Sequence, residues 1–144
     1  MTKPSGAAPN DLGLSVTCVE FHQVPRRIQE LILKKIPGAT SDEPVIVVEG
    51  PRRRTRFRAI IRVKRSRGRL YYTPGEWSAW VLGVRDGEFD DMTEDAPADR
   101  VIAMRDSKDP DGTKLFVPVR TFKDYLDALK AKKYDFEVVK EDAK

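Results

Sequence analysis

Aligned on itself with a shift of 45 residues, the chain pairs Leu70 with Leu115, Tyr71 with Phe116, Trp77 with Phe122, Trp80 with Tyr125, Val81 with Leu126, Val84 with Leu129, Phe89 with Tyr134 and Asp90 with Asp135. Each apolar position in this set meets an apolar partner. Upstream, with a shift of 41, Ile60 to Ser66 lines up with Val101 to Ser107. The difference of four residues falls in the turn, where Lys108 to Gly112 replaces a tight Arg67-Gly68. A tandem duplication follows, each copy running strand, turn, strand, helix and an aromatic-acid ending. One such unit buries too little apolar surface to stand alone, so two copies are expected to stack. The expected fold is α+β: two related halves, each of antiparallel strands plus one helix, packed as a pseudo-two-fold unit.

The helix of each half is written in local chemistry. Thr73 and Glu76 have the spacing of a capping box, in which each side chain accepts the other's otherwise unpaired backbone N–H. Pro74 stands where a missing N–H costs nothing. From there Trp77, Trp80, Val81 and Val84 recur at the helical period, and Gly87 is placed to end the helix. The two tryptophans therefore read as core, with an exposed aromatic platform as the rival. The second helix is expected from about Thr121 to Lys132.

The remaining elements follow from pattern. Leu14 to Phe21 reads as a strand, Pro25 to Ile36 as a short amphipathic helix stopped by Pro37-Gly38, and Val45 to Glu49 and Phe57 to Val63 as strands around a basic turn. Arg69 to Tyr72, Val101 to Arg105 and Lys114 to Val117 complete the strands, with a short edge strand over Tyr134 to Val139. The organisation is then a flexible N-terminal tail over 1–13, a first repeat over 14–90, an acidic linker over 91–99, a second repeat over 100–139 and a charged tail over 140–144. The helix Pro25 to Ile36 and the turn Pro51 to Arg56 are insertions in the first repeat, without counterparts in the second.

Net charge is a modest +4, but it is unevenly spread. Residues 51–69 hold ten Lys or Arg and no acid; residues 86–99 hold seven Asp or Glu and no base. A basic block can follow phosphates, and a bipolar surface can steer a partner protein or a second copy of the chain. The plainest account is a solvated basic hairpin beside the acidic linker. For nucleic acid the residues concerned are Arg52, Arg53, Arg54, Arg56, Arg58, Arg62, Lys64, Arg65, Arg67 and Arg69. With few interleaved aromatics and no recognition helix, their binding would be indifferent to sequence.

Catalytic and metal chemistry find little support. His22 is the sole imidazole and has no Ser or Cys nucleophile in a recognisable elbow beside it. Cys18, the sole cysteine, cannot form an intramolecular disulfide and sits on an apolar strand as a small hydrophobe. No Cys/His set for zinc, no calcium loop and no phosphate-cradling glycine loop is present. No apolar run is long enough to span a bilayer. A cytoplasmic, non-enzymatic protein with no metal and no cofactor is expected. The sharper site is Arg105-Asp106-Ser107. Either Asp106 and Ser107 bond backbone N–H groups of the following turn, or Arg105 and Asp106 face outward to a partner.

The stretches "VIAMRDSKDPDGTKLFV", Val101 to Val117, and "YYTPGEWSAWVLGVRDGEFD", Tyr71 to Asp90, resemble the two parts of a small actinobacterial domain, Domain of Unknown Function 397, represented by the BldB-like developmental regulators. Cys18-Val19-Glu20 resembles its first strand, Arg105-Asp106-Ser107-Lys108 its turn, and Thr73 to Asp90 its capped helix. Each phrase survives in one copy. The first copy has Lys64-Arg65-Ser66 at the turn, and the second has Thr121-Phe122 where Glu-Trp would stand. The resemblance spans about two thirds of the chain. It implies a regulator that binds an Xre-type helix-turn-helix transcription factor, with a toxin–antitoxin-like pair as a further possibility and a homodimer allowed.

Overall fold

The computed structural model describes residues 13–50 and 68–139. Among them the chain is α+β, with two antiparallel sheets of three and two strands and three α-helices. In the first sheet β1 (Ser15–Val19), β2 (Val45–Glu49) and β3 (Arg69–Tyr72) lie in that order. In the second, β4 (Val101–Arg105) pairs with β5 (Lys114–Pro118). Helix α1 (Arg26–Lys35) follows a turn of 3-10 helix at Phe21–Gln23. Helices α2 (Pro74–Arg85) and α3 (Val119–Lys130) each follow a strand directly.

Two apolar clusters hold these elements. The larger joins Val16, Ile46, Val48 and Leu70 of the first sheet to Ile102, Met104, Leu115 and Val117 of the second, with Trp77, Val81 and Val84 of α2 and Phe122, Tyr125, Leu126 and Leu129 of α3 between them. The smaller lies on the opposite face of the first sheet, where Phe21, Val24, Ile28 and Ile32 pack on Val45, Val47 and Tyr71. Strand β2 is thus covered on both faces, which is why it reads as the unbroken apolar run VIVV rather than as an alternation.

The capping box of α2 is formed as its spacing requires: Glu76 N–H donates to Thr73 Oγ1 at 3.1 Å and Thr73 N–H to Glu76 Oε1 at 3.0 Å. Trp77 is fully buried and Trp80 partly so, its indole N–H donating to Tyr125 Oη at 3.0 Å. Both tryptophans are therefore core residues.

Counterparts at the shift of 45 behave alike. Adding 45 to the bounds of α2 (74–85) gives 119–130, the bounds of α3. Both helices end in a left-handed residue, Gly87 with φ 83° and Lys132 with φ 65° (87 + 45 = 132). Behind each, the next N–H reaches back across the turn, Glu88 to Gly83 O and Lys133 to Ala128 O, both at 3.1 Å. The contacts that α2 and α3 and the turns behind them make with each other are reciprocal under this shift. Trp80 meets its own counterpart Tyr125. Arg85 pairs with Asp135, while Lys130 pairs with Asp90 (85 + 45 = 130; 90 + 45 = 135).

One strand pairing goes beyond the sequence pattern, and two expectations need correction. Opposite β3 stands β2, with Val48 against Leu70, in the place that Met104 of β4 takes against Leu115. The strand paired with β3 is therefore Val45–Glu49; Phe57 to Val63, expected there by alignment, lies outside the described residues. First, Tyr134 to Val139 forms no strand. Phe136 and Glu137 have φ of 51° and 62°, which an extended strand excludes, and the carbonyl of Tyr134 is taken by the Trp77 indole N–H at 2.8 Å. Second, α3 starts two residues earlier than its sequence signal, at Val119, because its N–H is held by Arg100 O at 2.9 Å and Pro118 precedes it in extended conformation.

Candidate functional site

The alternation of β4 runs past its end. Ile102 and Met104 face the core, and the same side then carries Asp106 and Lys108, both buried, while Arg105 and Ser107 are exposed. A lysine among apolar residues must find a partner for each of its N–H bonds. Lys108 finds three: its Nζ donates to Tyr71 O at 2.5 Å, to Asp106 Oδ2 at 2.8 Å and to Glu76 Oε1 at 3.0 Å. Glu76 is the same carboxylate that caps α2. The other oxygen of Asp106 accepts the Lys108 backbone N–H at 3.1 Å, closing the turn. One ammonium thus ties the loop between β4 and β5 to strand β3 and to the start of α2.

The ring of Tyr72 lies beside this cluster, 5.8 Å from Lys108 Nζ. Burial first, and then the charges of Asp106 and Glu76, push its hydroxyl well above the ordinary tyrosine range. Every strong group here is engaged by another, so the cluster is a structural clasp. Of the triplet expected to form a site, Asp106 is buried and bonds the backbone of the following turn. Arg105 and Ser107 are exposed. The sequence pattern that reveals Lys108 is the inward series 102, 104, 106, 108, hidden by the charge of its last two members.

A second tie reaches this loop from α1. Arg27 donates to both carboxylate oxygens of Asp109, at 3.3 and 2.8 Å, and holds that carboxyl below the usual carboxylate range. Helix α1 is thus anchored to the β4–β5 loop as well as to the first sheet.

Of the ten basic residues of 51–69, only Arg69 falls within the described residues. It is exposed and 3.5 Å from Glu49. Gly50 N–H donates to Gly68 O at 3.0 Å, so the pairing of β2 with β3 continues one step past Glu49 and Arg69. Gly68 has φ 149°, and a Cβ there would collide with Thr113 of the other hairpin. Only glycine lets the two hairpins approach so closely.

His22 is exposed and lies 3.4 Å from Glu20. Cys18 packs against the larger cluster, and burial raises its thiol above the ordinary value. Among the described residues no three His, Cys, Asp or Glu side chains are grouped to hold a metal, and no helix is long and apolar enough to cross a membrane.

The outward face of the second sheet differs from that of the first. Val101, Ala103 and Arg105 on β4 stand beside Pro118, Phe116 and Lys114 on β5. Ala103, Arg105 and Lys114 are exposed, and Val101, Ala103 and Phe116 belong to neither apolar cluster. On the first sheet the corresponding face is covered by α1. No family model, curated protein or solved structure matches this chain.

Proposed function

We propose that the chain is a duplicated, non-enzymatic regulatory protein that acts by binding a partner, an Xre-type helix-turn-helix transcription factor. Duplication as a pseudo-two-fold pair is supported by the reciprocal contacts. In an isologous pairing residue i of one copy meets j of the other and the reverse also holds, as Arg85–Asp135 and Lys130–Asp90 do. The observation that carries the binding role is the outward face of β4–β5, where Ala103, Arg105 and Lys114 are exposed and no helix packs among the described residues, whereas the related sheet carries one. The strong polar groups near it, Lys108, Asp106 and Glu76, are engaged with one another, in keeping with a scaffold rather than a reaction centre. The class of partner comes from the resemblance of Thr73 to Asp90 and of Arg105 to Lys108 to the BldB-like domain.

Affinity purification of the full chain from its native host tests the reading. Recovery of a helix-turn-helix protein supports it; recovery of no DNA-binding protein, together with turnover of a small substrate, overturns it. A second reading rests on the sequence, in which Arg52 to Arg67 crowd nine cations and no acid between Gly50 and Gly68. About four phosphate contacts give a slope near −3.6 for log affinity against log salt on duplex DNA, at about −0.9 per contact. Changing Arg52, Arg53, Arg54 and Arg56 to Ser abolishes that slope if the hairpin binds DNA and leaves it unchanged if it does not.

A further inference from the structure

The geometry points to the outward face of β4–β5 as the seat of an acidic amphipathic helix supplied by the partner, held as α1 is held on the first sheet. This rests on the partner-binding reading above and adds the chemistry of the segment that docks. The two sheets present the same register. Arg105 opposite Lys114 stands where Glu49 stands opposite Arg69. In the first sheet that corner is an ion pair, 3.5 Å apart, next along the face on which α1, with Arg26, Arg27, Lys34 and Lys35, packs over Val47 and Tyr71. In the second sheet the corner is two cations directly across from each other, an arrangement that repels. Both are exposed, and no acid is paired with either among the described residues.

The charge decides between occupants. The basic connection 51–67 and the α1 of a second copy both bring cations to this corner and are disfavoured. A helix with acids on its flanks relieves the repulsion while its apolar stripe covers Val101, Ala103 and Phe116. Ala103 stands opposite Phe116 as Val47 stands opposite Tyr71, so the smaller alanine leaves room for a larger side chain from above.

The test uses the isotope-labelled full chain and two synthetic peptides. One has the sequence of residues 20–38, which holds the covering face of the first half; the other is the same peptide with Arg26, Arg27, Lys34 and Lys35 replaced by Glu. The acidic peptide is expected to shift the amide signals of Val101, Ala103, Arg105, Lys114 and Phe116 and to bind about tenfold more tightly than the basic one. That ratio is about what two exposed ion pairs contribute. It should shrink as salt is added. The surface variant Arg105→Glu/Lys114→Glu should reverse the preference while its own spectrum stays that of a folded chain. Equal binding of the two peptides, shifts confined to α1 and β2, or no shift on β4–β5 overturns the inference. The native partner separates the two levels. A helix-turn-helix protein captured equally by the chain and by Arg105→Glu/Lys114→Glu overturns the face and leaves the partner role standing. Acidic-peptide binding to the face with no such protein captured upholds the face and removes that partner.

Discussion

Replacing Lys108 by Met removes one ammonium and leaves the volume of the side chain nearly unchanged, so the cost measures the clasp rather than a cavity. The lysine side chain is 4% exposed, that of Asp106 10% and that of Glu76 25%. Without the ammonium, Asp106 keeps the Lys108 backbone N–H on Oδ1 but has a bare charge on Oδ2 in a buried position. Glu76 keeps the Thr73 N–H and reaches water more easily. Breaking a buried pair from one side costs about 3–5 kcal/mol, because the remaining charge loses both partner and solvent. For a domain whose total stability is about 5–15 kcal/mol, that is a large fraction.

Urea unfolding followed by the fluorescence of Trp77 and Trp80 measures it. With a slope of about 1–3 kcal/mol per M urea, the midpoint should fall by at least about 1 M. The stranded charge also dictates a non-additive pair. Asp106→Asn keeps the acceptor for the backbone N–H and removes the charge, so Lys108→Met/Asp106→Asn should be more stable than Lys108→Met alone by about 1–2 kcal/mol. A cost below about 1 kcal/mol for Lys108→Met, or strict additivity in the double variant, would refute the assignment of Lys108 as the clasp.

The reciprocal ion pairs should differ in weight. Arg85, whose guanidinium is largely buried and also donates to Leu129 O at 3.3 Å, should cost about 2–3 kcal/mol when changed to Ala, whereas Lys130→Ala at the exposed pair should leave the urea midpoint unchanged. Burial raises the hydroxyls of Tyr72 and Tyr125. A raised folded value means stability that is complete below the unfolded pKa of about 10 and lost as pH rises from there toward the folded one. In a pH series of urea titrations, stability should therefore fall above about pH 10, by up to about 1.4 kcal/mol per pH unit for each tyrosine, and tyrosinate absorbance from these two rings should appear with unfolding. At the helix ends the left-handed backbone penalises any side chain, so Lys132→Gly should raise the melting temperature, by about 1 kcal/mol of stability, and Gly87→Ala should lower it by a similar amount.

The helices were legible because their signals are local. Thr73 and Glu76 meet as their spacing requires, and the shift of 45 carries the bounds of α2 onto α3 although Thr121-Phe122 has lost the cap. The strand opposite β3 was not legible, and the reason is the helix on its far side. Strand β4 has one face in the core and one uncovered, and so alternates. Strand β2 has α1 over its second face, and its apolar positions run together. Compared by sequence, VIAMR aligns with Ile60-Ile61-Arg62-Val63, which lies outside the described residues, rather than with the VIVVE of β2 that pairs with β3. Lys108 was obscured in the opposite way, a core position occupied by a charge.

Positions 45 residues apart share some environments and not others. Where they share an environment, at the caps and across the α2–α3 contact, counterparts 45 residues apart keep the same backbone geometry and even the same partners. Where they part, the side chains change to suit what lies above the sheet: Val47 beneath α1 against Ala103, and Glu49 paired with Arg69 against Arg105 facing Lys114. A sheet face that had only to meet water would gain nothing from two opposed cations over a small apolar step, since their repulsion is unrelieved there. The same arrangement becomes favourable once an anionic, apolar-striped segment lies across it. On the proposed binding role, the divergence of the second face from the first would suit a segment whose charge is opposite to that of α1.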